Sequence, residues 1–151
     1  MSILVFWGHH VEEYREMFGL SDGELEGRIL EFGSGPSAFN AELAGIAKKR
    51  VSCDPLFNLD YDTLKAKSGL VFADMIEKIL ANPTHFDFSA YHGKHAFFEK
   101  RQAGMDVFFA DYETGKQEGR YVGINDMRLP FEDFSFDMAV SSHYLFSQLE
   151  D

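Results

Sequence analysis

The sequence is organised around residues 28–40, where an apolar segment runs directly into a turn that contains two glycines. Residues 28–32 have the composition of a buried strand, and Gly33 and Gly35 follow it at once. Glycine adopts backbone angles closed to other residues and lets a ligand approach the main chain. Ser37 can then cap a helix start. A strand, a glycine turn and a helix start predict either a nucleotide-type site or a tight βα connection that binds nothing.

Strand-like and helix-like segments alternate along the rest of the chain. The strands are predicted at 28–32, 51–54, 120–124 and 136–142, and the helices at about 10–18, 21–27, 37–48, 60–81 and 89–114. This alternation predicts an α/β fold, a doubly wound parallel sheet with helices on both faces. The two long helices make an insertion at 60–115 between the second and third strands.

Length and charge limit the classes of function. A chain of 151 residues with 45% apolar and 26% charged residues is expected to form one domain, with N-terminal helices at 10–26 and a core at 28–149. The net charge of −11 disfavours nucleic acids and anionic membranes, and favours a small molecule or a protein as partner. Cys53 is the single cysteine, which predicts a reducing compartment, and the opening residues lack a signal-peptide pattern, so we expect a cytoplasmic protein.

An acidic residue follows the second predicted strand. Asp54 comes 19 residues after Gly35, a spacing at which a carboxylate reaches the ribose hydroxyls of a nucleotide, although it could also simply cap a loop. Residues 33–38 satisfy the G-x-G-x-x-A fingerprint, so NAD or NADP is one possible ligand. Glu31 argues against it, because a carboxylate beside the turn repels pyrophosphate and favours a ligand with ammonium and sulfonium charges. S-adenosylmethionine carries both.

At three places the sequence resembles the class I (Rossmann-like) S-adenosylmethionine-dependent methyltransferases. Residues 29–36 (ILEFGSGP) resemble their first motif, and residues 53–55 (CDP) resemble the acidic end of their second strand. Residues 129–143 (LPFEDFSFDMAVSSH) are similar to the segment that leads into and along their fourth strand. The resemblance implies a sheet of four strands in the order 3-2-1-4, and S-adenosylmethionine as the cofactor.

The resemblance also assigns roles within the cofactor site. It implies that the turn contacts the methionine part of the cofactor, that Glu31 holds its amino group, and that the end of the second strand binds the ribose. Asn125 stands where the family often has an acidic residue, with Asp126 one position later, so either could meet the adenine amine. The implied cofactor-binding residues are Glu31, Gly33, Ser34, Gly35, Asp54, Pro55, Asn125, Asp126 and Met127.

A catalytic base is optional for methyl transfer, because the sulfonium already activates the methyl group. His143 is the candidate, since it follows the fourth strand and titrates near neutral pH, but it could equally be a packing residue at a helix start. His92, His95 and Glu99 could share one helix face as metal ligands do. Solvated polar helix faces are common, however, and we predict no metal site.

The family fold continues beyond its fourth strand with three more strands. The resemblance therefore implies that residues 1–151 hold the cofactor-binding part of a methyltransferase whose acceptor, a small molecule, is unidentified. Residues 138–140 are then expected at an open sheet edge, which predicts a homodimer through the fourth strand, aggregation or marginal stability, and weak methyl transfer by this chain alone. An alternative is a catalytically incomplete or non-catalytic Rossmann-like module that binds a protein partner.

Overall fold

A parallel β-sheet of four strands carries the glycine turn at its centre. The fold is described from a computed structural model of the chain, in which residues 8–82, 84, 87–126 and 128–141 are described. The strands are β1 (Arg28–Phe32), β2 (Lys49–Asp54), β3 (Tyr121–Gly123) and β4 (Met138–Val140). Their order is β3-β2-β1-β4 and every pairing is parallel. This confirms the predicted fold class, and it places β1 and its turn between two neighbouring strands.

Five α-helices surround this sheet in the described part of the chain. They are α1 (Val11–Phe18), α2 (Asp22–Leu25), α3 (Phe39–Glu42), α4 (Tyr61–Ala81) and α5 (Lys94–Gln117). Two short 3-10 turns, Pro55–Asn58 and Ser89–Tyr91, precede α4 and α5. Ser21 and Glu24, spaced as the sequence pattern of a capping box requires, form one at the start of α2: the Ser21 hydroxyl accepts the Glu24 N–H and the Glu24 carboxylate accepts the Ser21 N–H.

The helix predicted at 37–48 was wrong in length. Helix α3 has only four residues, and the chain then turns towards β2 through Gly45, whose φ of +75° is incompatible with a right-handed helix. The helical spacing of Phe39, Leu43 and Ile46 predicts the longer helix, but these residues do not share one buried face. Leu43 is fully buried, whereas Ile46 is exposed.

The second helix of the insertion also differs from its prediction. It starts at Lys94 rather than near 89, because His92 and Gly93 both have positive φ angles and separate it from the preceding 3-10 turn. A glycine within a helix can mark a bend, but α5 runs through Gly104 unbroken. Gly104 instead lets the backbone of Gly8 cross the helix, since a Cβ atom at 104 would lie 2.1 Å from the Gly8 carbonyl oxygen.

The strands agree with their predicted positions to within two residues at the described ends. β2 begins at Lys49 rather than 51, β3 lacks the outermost residues of 120–124, and β4 begins at 138 rather than 136. Position 142, the predicted end of the fourth strand, lies outside the described residues.

Alternate residues of the central strands enter two separate apolar clusters. Ile29 belongs to a cluster with Tyr14 of α1, Phe39 of α3 and Val140 of β4. Leu30 and Phe32, which point to the opposite face of the sheet, join a cluster that Phe131 and Phe136 help to cover; its other buried members are Val51, Cys53 and Ile124. None of the helices in the described ranges is both long and apolar enough to cross a membrane.

The contact between Gly104 and Gly8 makes a testable prediction. Gly104→Ala should lower the free energy of unfolding by about 1–3 kcal/mol, because the new methyl group meets backbone that cannot move aside cheaply. Gly69→Ala in α4 is the matched control, because no atom lies within 4 Å of its Cβ position. It should leave stability unchanged or raise it by up to about 1 kcal/mol. Urea unfolding of both variants measures the difference, and equal stabilities would show that the crossing is absent.

Candidate functional site

Two backbone N–H groups of the turn after β1 donate hydrogen bonds to β2, one to a backbone carbonyl and one to a side-chain carboxylate. Gly33 and Gly35 have φ angles of 67° and 59°, which only glycine adopts without cost. The Gly33 N–H donates to the Cys53 carbonyl at 2.8 Å, and the Gly35 N–H donates to Oδ2 of Asp54 at 2.8 Å. Ser34, between the glycines, is buried and donates its hydroxyl to the Gly35 carbonyl. The ends of β1 and β2 thus form one rigid unit.

Asp54 is positioned entirely by backbone donors. Its second oxygen, Oδ1, accepts the Leu56 N–H at 2.9 Å, so the carboxylate caps the 3-10 turn that Pro55 begins. The side chain is almost fully buried. Burial raises the pKa of Asp54, and the hydrogen bonds from Leu56 and Gly35 counteract part of that rise.

Glu31 lies beneath the turn in a cage of hydroxyl groups. The Ser52 hydroxyl is 2.7 Å from Oε1, and the Ser37 hydroxyl is 2.8 Å from Oε2. The hydroxyl groups of Tyr14 and Ser34 also favour the ionised form and act to lower the pKa of Glu31. Burial raises the pKa of Glu31 in spite of these donors, and none of the ion pairs among the described residues includes it. The site therefore holds a buried carboxyl group with no cationic partner from the described chain.

The first backbone N–H groups of α3 donate to oxygen atoms of the chain itself. The Ala38 N–H donates to the His9 carbonyl at 2.9 Å, and the Phe39 N–H donates to the Ser37 hydroxyl at 3.3 Å. Ser37 was predicted to cap this helix, and it does accept this N–H from its first turn, although Ala38 occupies the capping position. With four residues, α3 also contributes little dipole to attract an anion.

Asn58 was not identified from the sequence, yet it connects β2 to the end of β3. Its Nδ2 donates to the Ile124 carbonyl at 3.0 Å and to Oδ1 of Asn125 at 3.3 Å. A side chain at Gly123 would collide with it, since a Cβ atom there would lie 2.1 Å from Oδ1 of Asn58. The signal available in the sequence was an asparagine at the end of a turn that Pro55 begins.

The remaining predicted site residues are less closely associated with the glycine turn. Asn125 and Asp126 are exposed, and Asp126 accepts the Arg128 N–H at 2.8 Å rather than contacting the turn. Met127 and His143 lie outside the described residues. The structure thus brings Glu31, Gly33, Ser34, Gly35, Asp54 and Pro55 into one site, with Asn125 attached to it through Asn58.

The suggested metal cluster has no geometry to support it. His92, His95 and Glu99 are all exposed, and His92 precedes α5 rather than sharing its face. Within the described ranges, no group of three or more His, Cys, Asp or Glu side chains could hold a metal ion.

Comparisons with known proteins give one relative without an assigned function. No protein-family model matches the chain, and no solved structure matches it. An uncharacterized protein of Methanocaldococcus jannaschii, MJ0045, is 28% identical to it over 145 residues. The alignment covers 93% of this chain and 63% of that protein, so the chain spans less than two thirds of its relative's length.

The burial of Glu31 predicts a specific pH dependence of stability. Above its ordinary pKa of 4.5, the unfolded chain releases a proton that the folded protein retains, so this group destabilises the fold as pH rises towards its raised folded pKa. The free energy of unfolding of the wild type should therefore fall relative to Glu31→Gln from about pH 4.5 upwards. Chemical unfolding of both proteins across this range measures the difference.

Asp137 provides the control of opposite sign. Hydrogen bonds from Arg28 lower its pKa to about 2, so the wild type should gain stability relative to Asp137→Asn as pH rises from about 2 to 3.8. A flat difference between wild type and Glu31→Gln above pH 4.5 would contradict the raised pKa of Glu31.

Proposed function

We propose that this chain binds S-adenosylmethionine and forms the cofactor-binding part of a methyltransferase with a small-molecule acceptor. The observation that carries the proposal is the bond between the Asp54 carboxylate and the Gly35 N–H. It joins the acidic end of β2 to the glycine turn after β1, at the carboxyl ends of adjacent parallel strands, where ligands of open α/β sheets bind.

The charge of the site supports this ligand over a dinucleotide. Glu31 and Asp54 are both buried, and neither is paired with a cation among the described residues. An ammonium and a sulfonium group would supply the missing positive charge, whereas a pyrophosphate would add repulsion. The N–H groups of Ala38 and Phe39, which would face a pyrophosphate, already bind the chain's own oxygens.

The proposed contacts follow the placement of the side chains. Glu31 would bind the amino group, Asp54 the ribose, and the segment at 125–127 the adenine, with Asn125 held in place by Asn58. When bound, S-adenosylmethionine would supply a methyl group already activated by its sulfonium: the acceptor would take up the methyl group and lose any proton it carries, and the carbon–sulfur electrons would stay with sulfur. We keep His143 as the proposed base for an acceptor that requires one.

We also propose a cytoplasmic location, because the chain's single cysteine suits a reducing compartment. Cys53 is fully buried and burial, with Asp54 and Glu31 nearby, raises the pKa of its thiol to about 12. It is therefore an unreactive thiol rather than a nucleophile.

Calorimetry with S-adenosylmethionine, S-adenosylhomocysteine and NAD in parallel tests the cofactor. We expect either adenosyl ligand to bind and NAD not to bind measurably.

Asp54→Ala should weaken adenosyl binding by about 1.5–3 kcal/mol, or roughly tenfold to a hundredfold, because it removes a hydrogen bond to a charged group. Asp106→Ala, at an exposed position of α5, is the matched control and should bind as the wild type does.

The other outcomes separate the alternatives. Tighter binding of NAD than of both adenosyl ligands would identify a dinucleotide-binding protein. A folded protein that binds none of the three would instead support the non-catalytic module.

We further propose that β4 pairs with β4 of a second copy. In the described sheet β4 pairs only with β1. A groove of about 420 Å³ runs beside it, lined by Phe131, Phe136 and the almost fully exposed Phe134 among others. A twofold axis would bring two such edges together in antiparallel pairing and bury both grooves.

This interface should strengthen with salt. Glu132 and Asp133 line the same groove, so two copies bring like charges together, and screening them favours association. Light scattering at low and high ionic strength should show a larger dimer fraction at high salt. Ala139→Lys, at an exposed position of β4, should abolish the dimer, whereas Ala139→Ser should retain it. A monomer at every salt concentration would rule out this edge as the interface.

A further inference from the structure

We propose that Asn40 and Arg120 are positioning residues that orient the Ser52 hydroxyl towards Glu31 and so connect the candidate ligand site to helix α5. The hydrogen bonds that support this inference are present without any ligand. What they mean for ligand binding rests on the proposed function, in which Glu31 receives an ammonium group.

The orientation of the Asn40 side chain is determined by Arg120 alone. Its amide oxygen lies 2.9 Å from Nη1 of Arg120, which can only donate, and its amide nitrogen lies 3.1 Å from the Arg120 carbonyl, which can only accept. The residue is buried at 1% exposure, so water does not compete for these bonds. The amide therefore cannot flip without losing both partners.

This orientation determines the direction of the next hydrogen bond. The Asn40 amide nitrogen donates its other hydrogen to Oγ of Ser52 at 3.0 Å. The Ser52 hydroxyl must then direct its own hydrogen elsewhere, and Oε1 of Glu31 lies 2.7 Å away. Arg120, Asn40, Ser52 and Glu31 thus form a chain in which every member donates towards the carboxylate, and we refer to it as the relay.

Arg120 is anchored at the far end of the relay by α5. Its Nη1 and Nη2 atoms donate to the two oxygens of Asp111 at 2.6 and 2.7 Å, and Nε donates to Glu118. Tyr121 also donates to Asp111 at 2.8 Å. Burial opposes ionisation of Asp111, but the hydrogen bonds from Arg120 and Tyr121 outweigh it and lower the pKa of that carboxyl. The positive charge of Arg120 is therefore fixed in place.

The relay joins Glu31 to a cation, Arg120, through hydrogen bonds between described residues. The titratable groups that interact with Glu31 are the phenol of Tyr14 on α1, the thiol of Cys53 on β2 and the phenol of Tyr121 on β3. The His9 ring packs against Tyr14, with ring centroids 5.0 Å apart. Because hydrogen-bonded groups polarise one another, the distant guanidinium stabilises the ionised carboxylate through Asn40 and Ser52.

The test is to titrate Glu31 itself in the unliganded chain of 151 residues. Carbon-13 NMR of protein labelled at glutamate carboxyl groups follows the titration, and Glu31→Gln identifies the signal by its loss. Asn40→Leu should move the midpoint upwards by about one pH unit, since the carboxylate loses an oriented donor. Ser52→Ala should produce a rise of similar size, and it serves if Asn40→Leu does not fold.

Two comparisons separate the relay from general damage to the fold. Combining Asn40→Leu with Ser52→Ala should move the midpoint no further than Ser52→Ala alone, because both act through one hydroxyl. Glu118→Gln removes an exposed partner of Arg120 outside the relay and should leave the midpoint unchanged. A midpoint unaffected by Ser52→Ala, or additive shifts in the double variant, would overturn the relay.

A second measurement keeps this result separate from the proposed function. The affinity for S-adenosylhomocysteine is measured as the pH is lowered. Because protonation of Glu31 removes the charge that would bind the ammonium group, the affinity should begin to fall at a higher pH in Ser52→Ala than in the wild type, following the Glu31 midpoint. If the NMR midpoint shifts but no adenosyl ligand binds, the relay holds and the cofactor proposal fails. If an adenosyl ligand binds but the NMR midpoint does not shift in the variants, the cofactor proposal holds and the relay fails.

Discussion

The hydrogen bond between the Gly35 N–H and the Asp54 carboxylate is the interaction on which the rest of the site depends. It is available because two adjacent parallel strands end at the same edge, one in a glycine turn and the other in an aspartate. The same carboxylate caps the turn that contains Asn58, and Asn58 in turn holds the loop after β3. One acidic side chain thereby fixes the relative positions of three strand ends.

Burial of two carboxyl groups gives this edge of the sheet its chemical character. Each oxygen of Glu31 and of Asp54 accepts a hydrogen bond from the chain, but the donors are neutral hydroxyl or backbone groups. Neutral donors reduce the cost of burying a carboxylate without cancelling its charge. The result is a site that favours protonation or a cationic ligand, and the relay from Arg120 shifts that balance towards the ionised form.

The parts of this arrangement that depend on nearby residues could be predicted from the sequence. The β1 turn, the acidic end of β2 and the capping box at Ser21 each follow from a few adjacent residues, and the order of the strands followed from the family resemblance. The length of α3 could not be predicted, because the spacing of Phe39, Leu43 and Ile46 imitates a helix that Gly45 ends. The roles of Asn40 and Asn58 were also missed, because their partners lie 80 and 66 positions away in the chain.

The crossing of Gly8 over Gly104 has a consequence for the order in which the molecule is assembled. The segment at residues 8–10 supplies the carbonyl that binds the Ala38 N–H, and it lies against a helix that is synthesised almost 100 residues later. During translation it therefore emerges long before the surface that covers it exists. Contacts of such long sequence separation form late and slowly. Residues 8–10 reach their full set of contacts only after α5 has left the ribosome, so this side of the glycine turn closes long after the turn itself has been synthesised.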